Sequence, residues 1–556
     1  MAKGDEMRSR TILLFIVVIA LISNNIYADV LKTISYTITL NPLTDRTNLE
    51  IEMKFDGNSE GETQISLPID KYGTPNIHQA VSEFNVVGGN SVTSVREKPF
   101  LRIIHHKPFA PLKIYYTISW SSRSSESYAY SPIVHSDQFH FFGPQWMIKL
   151  IGNSDTLKHI VKFKKIPEGW QVFSNIGNGN HPFTQVSTQD DISGFIAGGK
   201  YHNEKLLIQE SSVDIYISNR YAPRTKTYTE ELKKLILYQR NLFKDSAFGY
   251  FLISLSHRDD ILAGVALKNS FICLANSQTH PYKIHRLLSH EMFHTWLPNK
   301  GKIIPDEEDK ASFYQFEWFH EGFTEYCGRQ ILLDIGVLSQ ENYVDLVNRD
   351  LLRLAKNPVN KITYEEVKQV IENGHFYNTH KNLSYVRGAL IALSWEEKIR
   401  SNTNGKKSIL DFVREIVKMA EKNGGELNKD VFFDWAVKNG IDAEKDWERY
   451  IINGKLIDQI PENLDINYRL VDEVYSEFEP GFNISASKKA KKIIGLVEGG
   501  LAERNGLSEG IELINIENDS NAELPIKIYV KVNNKERIIS YLPIQKIPYK
   551  KYVKIK

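Results

Sequence analysis

The sequence predicts a multidomain α+β protein, and three observations carry that prediction. At 556 residues the chain is long enough for about three domains, each with its own core. Up to about Tyr221 its apolar residues alternate in period two, as in half-buried strands, and between Tyr228 and about Leu464 they recur at helical spacing. Beyond Leu464 the pattern turns β-like again. These shifts divide the chain into residues 1–28, an N-terminal β-sheet domain over 29–221, a mainly helical domain over 222–464 and a smaller module over 465–556.

The first segment reads as a signal peptide. Lys3, Arg8 and Arg10 precede the apolar run Ile12 to Ile22, and Ala28 supplies a small residue before Asp29. A run of this length falls short of the ~20 residues that cross a bilayer as a helix. The expectation is a periplasmic or secreted protein whose mature chain begins near Asp29, without stable membrane insertion; an uncleaved N-terminal anchor is the alternative. In the β domain, Ile34 to Leu40, Leu49 to Phe55, Leu101 to His106, Lys113 to Trp120 and Val213 to Ile217 read as strands. Gly88 to Ser94 and Asn175 to Asn180 read as turns, and Ser122 to Phe142 as a surface loop. Ala222-Pro223-Arg224 marks a boundary, followed by a helix over Tyr228 to Lys244 and a strand over Tyr250 to Ser256. Lys and Arg total 69 against 68 Asp and Glu, so no basic field for nucleic acid exists.

Chemistry concentrates in the helical part. In His290-Glu291-Met292-Phe293-His294 two imidazoles at i and i+4 project from one face of a helix, with Glu291 beside them. Ile284, Leu287, Leu288, Met292, Phe293, Trp296 and Leu297 surround that helix with apolar side chains, which predicts burial. Two histidines and a glutamate in such a setting carry a desolvation cost that metal ligation relieves. A single Zn²⁺ with an open position would lower the pKa of its water, and Glu291 would accept that water's proton. A third ligand is expected from a second helix running from Phe316 to Leu333, with Glu317, Glu321 and Glu325 at four-residue spacing. Glu321 is the expected ligand, Glu325 the expected partner for the second N–H of a ligand histidine, and Glu317 a peripheral residue.

His290 to Trp296 (HEMFHTW) together with Trp318 to Tyr326 (WFHEGFTEY) resembles the glycyl-aminopeptidase family of gluzincin metallopeptidases. The 26 residues between His294 and Glu321 resemble the longer insert of that group. The resemblance implies a thermolysin-like, mainly helical zinc-peptidase domain, an N-terminal β domain and a C-terminal PDZ-like domain. It further implies that Tyr385, in Ser384-Tyr385-Val386-Arg387-Gly388-Ala389-Leu390, stabilises the oxyanion of the tetrahedral intermediate, with Arg387 in support. Peptides or proteins are the implied substrates.

One departure from the family stands out. Ala263 to Ser270 (AGVALKNS) aligns with a segment that is similar to Gly-Gly-Leu-Glu-His-x-Asn-Ser in relatives, and Ala266 occupies the position of the glutamate that pairs with a substrate's α-ammonium. Gly264, Ala266, Lys268 and Asn269 remain candidates for lining the peptide-binding strand, and Asp259, Asp260 and Glu317 are candidate replacement anions. An endopeptidase of the same fold is one alternative reading; a non-catalytic exported peptide-binding protein with a structural zinc is another. In the last module, Gly481-Phe482-Asn483-Ile484 resembles a PDZ carboxylate loop and Leu501 to Leu507 the Ala-x-x-x-Gly-Leu element, but Ile511 stands where aspartate is usual and little room is left for the groove helix before Ile526. Cys273 and Cys327, the only cysteines, are expected to be buried free thiols.

Overall fold

The computed structural model describes residues 32–555 apart from 44–46, 70–75, 120–130, 153–155, 189–193, 209, 246–248, 307–310 and 375–377. The expected signal peptide over 1–28 lies outside the described residues, as does the first part of the loop expected over Ser122 to Phe142. The chain divides into two compact units, Met1–Thr295 and Trp296–Lys556. Among the described residues no helix is long and apolar enough to cross a membrane.

In the first unit, strands Thr33–Pro42 and Thr47–Asp56 pair antiparallel with Tyr36 opposite Met53 and Ile38 opposite Ile51. Every second side chain on both strands is buried, so a one-residue slip would turn this apolar row to solvent. They belong to a six-stranded sheet that shares one core with a four-stranded sheet built on Glu62–Ser66 and Leu101–His105. A further four-stranded sheet contains Gln138–Phe142 and Phe195–Gly199.

Two readings need correction here. Ser91–Ser94, expected in a turn, is a strand paired with Leu101–His105; its side chains are all exposed, so it shows no apolar alternation. Gln138–Phe142, expected in a surface loop, is a strand with all five residues buried. Burial on both faces removes alternation and leaves a continuous aromatic run.

The sheet nearest the chemistry has five strands in the order Tyr201–Ile208, Ser211–Ser218, Tyr250–His257, Ser270–Ala275, Ala263–Leu267. Its middle three strands are parallel and read as near-continuous buried runs. Helix Thr225–Phe243 is the crossover between Ser211–Ser218 and Tyr250–His257. A boundary after Tyr221 therefore falls inside the span of one sheet, because strands on both sides of it hydrogen-bond to each other. One face of the sheet, with Tyr216, Tyr250, Leu252, Val265, Ile272 and Leu274, packs on Phe142, Phe173 and Phe195 of the preceding strands.

The second unit is mainly helical up to about Ile452, with one short parallel pair, Lys302–Ile304 and Glu426–Asn428. Ser312–Glu317 runs through a π-helical turn, Trp318–Phe323, into Thr324–Asp334. Gln340–Lys356, Tyr364–Glu372, Asn378–Asn402, Ile409–Glu421 and Lys429–Lys438 follow, with capping boxes at Thr363/Glu366 and Ser408/Asp411 opening two of them. The final strand, Ile544–Lys554, pairs along its whole length with Tyr468–Phe478. It is tied to helix Gln340–Lys356 by Asn348, which donates to the Tyr552 carbonyl and accepts from the Tyr552 amide.

Between them, Glu512–Glu517, Ile526–Val532 and Lys535–Tyr541 form a three-stranded sheet over a small core containing Phe482, Ala502 and Leu507. No helix lies between Glu517 and Ile526. In the Gly481 to Ile484 segment the Gly481 amide donates to Glu479 Oε1 and the Asn483 amide to the Ile494 carbonyl. The Asn483 side chain caps helix Ile484–Ala490.

Candidate metal centre

Helix Pro281–Phe293 follows strand Ser270–Ala275, with Pro281 in the first turn, where its missing N–H costs no hydrogen bond. Helix Thr225–Phe243 holds it in register at three successive levels. His285 meets Glu231 at 2.5 Å, Gln239 Nε2 donates to the Ser289 carbonyl at 3.2 Å, and the Phe293 ring packs edge-on against Phe243. The apolar residues read around this helix are buried as expected.

His290, Glu291 and His294 are all buried, and one potential ligand atom from each lies within 4.8 Å of the others. The two imidazoles are 4.6 Å apart between centroids with their planes at 86°, so they converge without stacking. The two buried imidazoles fit Zn²⁺ by ligand type and spacing, and the Glu291 carboxylate beside them is within reach of a water in the position they leave open.

Glu291 is aimed at the neighbouring sheet. A Cβ placed on Gly264 would lie 2.1 Å from Glu291 Oε1 and 2.2 Å from its Cδ and Cγ. The carboxylate therefore rests against the backbone of Ala263–Leu267, the edge strand of the five-stranded sheet. Ala266, two residues along, pairs with Phe271 and is half-buried. Lys268 is exposed. Asn269 exchanges hydrogen bonds with Asn175, accepting from its Nδ2 and donating to its carbonyl, both at 3.2 Å. The turn that ends the edge strand is thereby fastened to the preceding β-sheets.

Two of the three acids that could replace the missing glutamate have partners of their own. Asp259 sits 3.1 Å from His257 Nε2 and accepts from Asn276, and Asp260 pairs with Arg258 at 2.8 Å. Glu317 is half-buried at the end of helix Ser312–Glu317, in the second unit.

Glu321, half-buried, lies on the π-helical turn of the second unit. That turn corrects the expectation of a regular helix with glutamates stacked at four-residue spacing: a wider turn breaks the α-helical register between Glu317 and Glu325. Gly322 and Gly388 bring this turn against helix Asn378–Asn402 backbone to backbone. A Cβ on Gly322 would lie 2.3 Å from Gly388 Cα, and one on Gly388 would lie 1.7 Å from the Trp318 carbonyl oxygen. Tyr385, half-buried, is one turn ahead of Gly388 on that helix, so the crossing fixes Glu321 and Tyr385 relative to each other. Arg387 donates to the Asn360 and Ile362 carbonyls, so its guanidinium supports the helix from behind, and burial lowers its pKa.

Glu325 forms a buried triad. Arg329 pairs with Glu325 and with Asp350, each at 2.6 Å. Burial alone would lower the Arg329 pKa, but the two carboxylates raise it. Asp350 comes from helix Gln340–Lys356, 21 residues on, a partner with no signal in the local sequence. Cys273 and Cys327 are buried free thiols, and burial keeps both well above the usual thiol pKa.

Residues 283–391 match the family model of the M61 glycyl aminopeptidases. No curated protein matches the chain. Among solved structures, an aminopeptidase N family protein from Idiomarina loihiensis aligns over 94% of this chain and 98% of its own, with a TM-score of 0.69 and 16% identity, a likeness of fold. An M1 zinc metallopeptidase from Deinococcus radiodurans aligns over 78% of this chain and 96% of its own, at a TM-score of 0.45 and 11% identity.

Proposed function

Starting from a chain that is a metallopeptidase related to the glycyl aminopeptidases, we propose that it is a zinc-dependent, exported peptidase whose recognition of substrate N-termini is relaxed. The observation that carries this reading is the gathering of His290, Glu291 and His294, with Glu291 against Ala263–Leu267, an edge strand with no outer partner among the described residues. His290 and His294, with Glu321 by its sequence motif, are the ligands that would hold one Zn²⁺. When bound, that ion supplies Lewis acidity toward the scissile carbonyl and makes water a stronger acid.

The remaining steps belong to side chains. An extended substrate pairs with the free edge of Ala263–Leu267, as a strand added to a sheet. Glu291, held against that edge, takes the proton of the attacking water and delivers it to the leaving amine. Tyr385 donates its phenolic hydrogen to the oxygen on which negative charge develops. Ala266 offers a methyl group where relatives present a carboxylate, so a free α-ammonium gains no ion pair there. Glu325, steadied by Arg329, is the proposed second-sphere acceptor for a ligand histidine. The C-terminal module serves a structural role, supported by the internal use of the Gly481 and Asn483 amides.

The reading is tested by incubating the purified chain with peptide libraries bearing free or acetylated N-termini, followed by mass spectrometry, with chelator-treated and Glu291→Ala controls. Cleavage of both libraries, abolished by both controls, is expected. Cleavage confined to free N-terminal residues would overturn the relaxed recognition, and undiminished hydrolysis by Glu291→Ala would overturn the assigned base.

A further inference from the structure

Glycine at position 264 is explained neither by a turn nor by backbone conformation. It lies inside a strand, opposite Cys273, and its φ is outside the left-handed region that favours glycine. Glycine within a strand costs stability because it orders a flexible backbone and packs no side chain. What the position lacks is room: the space that a methyl group would fill is taken by Glu291, with Oε1, Cδ and Cγ all within 2.2 Å of it. Ordinary contact begins at 3.4 Å.

The residue across the ladder contributes to the same niche. Directly paired residues of an antiparallel ladder project to the same face, so Cys273 and the absent side chain of Gly264 look the same way. Cys273 is fully buried, and after burial itself the charge of Glu291 is what raises its thiol pKa. A small neutral thiol and a bare backbone thus form the surface on which the carboxylate rests.

We propose that Gly264 and Cys273 form a steric niche that sets the position of the Glu291 carboxylate, making them positioning residues for the base. This rests on the role given to Glu291 above. The three atoms nearest a methyl group at 264 all belong to the Glu291 side chain, from Cγ outward, so rotation about its Cα–Cβ bond can carry the carboxylate away while both backbones stay in place. The carboxylate would have to retreat by at least about 1.3 Å, from 2.1 to 3.4 Å. A misplacement of about 1 Å in a reacting group costs on the order of 10²-fold in rate.

Three measurements on the full-length zinc protein test the niche. In a crystal structure of Gly264→Ala, the Glu291 carboxylate should be displaced by about 1 Å or more with the strand in place; an unmoved carboxylate would overturn the proposal. In kinetics, kcat should fall on the order of 10²-fold with KM and zinc content unchanged. Cys273→Val, which adds bulk to the niche, should lower kcat as Gly264→Ala does. Parent-like kcat in Gly264→Ala, with Glu291→Ala inactive, would overturn the niche while leaving the peptidase reading intact. A double-variant cycle on melting temperature needs no turnover: any cost of Gly264→Ala should vanish in a Glu291→Ala background, because the obstructing side chain is gone. An equal cost in both backgrounds would place the strain in the strand and refute the niche.

Discussion

Gly388→Ala should damage the second unit more than any other single methyl addition considered above. The new Cβ would stand 1.7 Å from the Trp318 carbonyl oxygen, whereas ordinary contact needs at least 3.4 Å, so the two backbones would have to part by about 1.7 Å. Neither obstacle is the tip of a flexible side chain: Trp318 presents its carbonyl and Gly322 its Cα. A radial gap of only 0.5–1 Å already forfeits roughly a quarter to a half of each dispersion contact. Trp318, Phe319, Phe323 and Trp395, all fully buried on these two helices, would feel it together. Overpacking usually costs about 1–3 kcal/mol, and a rigid obstacle places this case at or above the upper end. At about 2–4 °C per kcal/mol for a unit of this size, the melting temperature should fall by roughly 6–12 °C. Peptidase activity should fall further than the unfolded fraction accounts for, since the same crossing sets Glu321 against Tyr385. Differential scanning fluorimetry and steady-state kinetics well below the melting temperature separate the two effects. Gly249→Ala is the control, because nothing lies within 4 Å of a Cβ there. A Gly388→Ala variant that melts within 2 °C of the parent and keeps its kcat/KM would refute the argument that this contact is tight and functional.

Other outcomes follow from the same geometry. Arg329→Met should destabilise the protein by about 3–5 kcal/mol, because Glu325 and Asp350 would be left buried without their shared cation; chemical denaturation measures this, and adding Asp350→Leu should recover part of the loss. Ala266→Glu should shift cleavage toward free N-termini, with at least a tenfold change in the ratio of free to acetylated peptide hydrolysis, read in the library assay. His140 is fully buried, and its pKa is lowered to about 3, first by desolvation and then by Arg258. The unfolded chain therefore binds a proton that the folded chain refuses between about pH 6.5 and 3. Stability from this group is complete above that window and is lost as pH falls through it, so a His140→Gln variant should show a flatter acid limb in melting temperature against pH.

The sequence made some of this legible for physical reasons that can be named. The motif helix was readable because ligand-type residues at i and i+4 sat among apolar residues distributed around a helix, and both signals are local. The first two strands were readable because burial on one face leaves alternation, as at Ile34 to Leu40. Gln138–Phe142 was not, because burial on both faces erases the period. The π turn was hidden because the run Trp318 to Phe323 has the same composition in either helical form, and the backbone packed against it, at Gly388, is some 66 residues away in sequence. Asp259 and Asp260 looked available as anions, although His257 and Arg258 stand two residues before them; the fold shows that each pair closes. Gly264 was seen as part of a resemblance, but its steric reason depends on a helix that starts 17 residues later.

The hydrogen bonds between Asn175 and Asn269 bear on how far this protein could be pared down. A fragment beginning at Tyr201 would still encode the five-stranded sheet and the motif helix, yet it would wet an aromatic and aliphatic face that includes Tyr216, Tyr250, Leu252 and Ile272. Such a fragment is expected to aggregate rather than to work as a minimal peptidase. Its edge strand would also lose the anchor at its far end. The N-terminal strands are in this sense half of that sheet's core, and an engineer trimming them would be removing part of the tool.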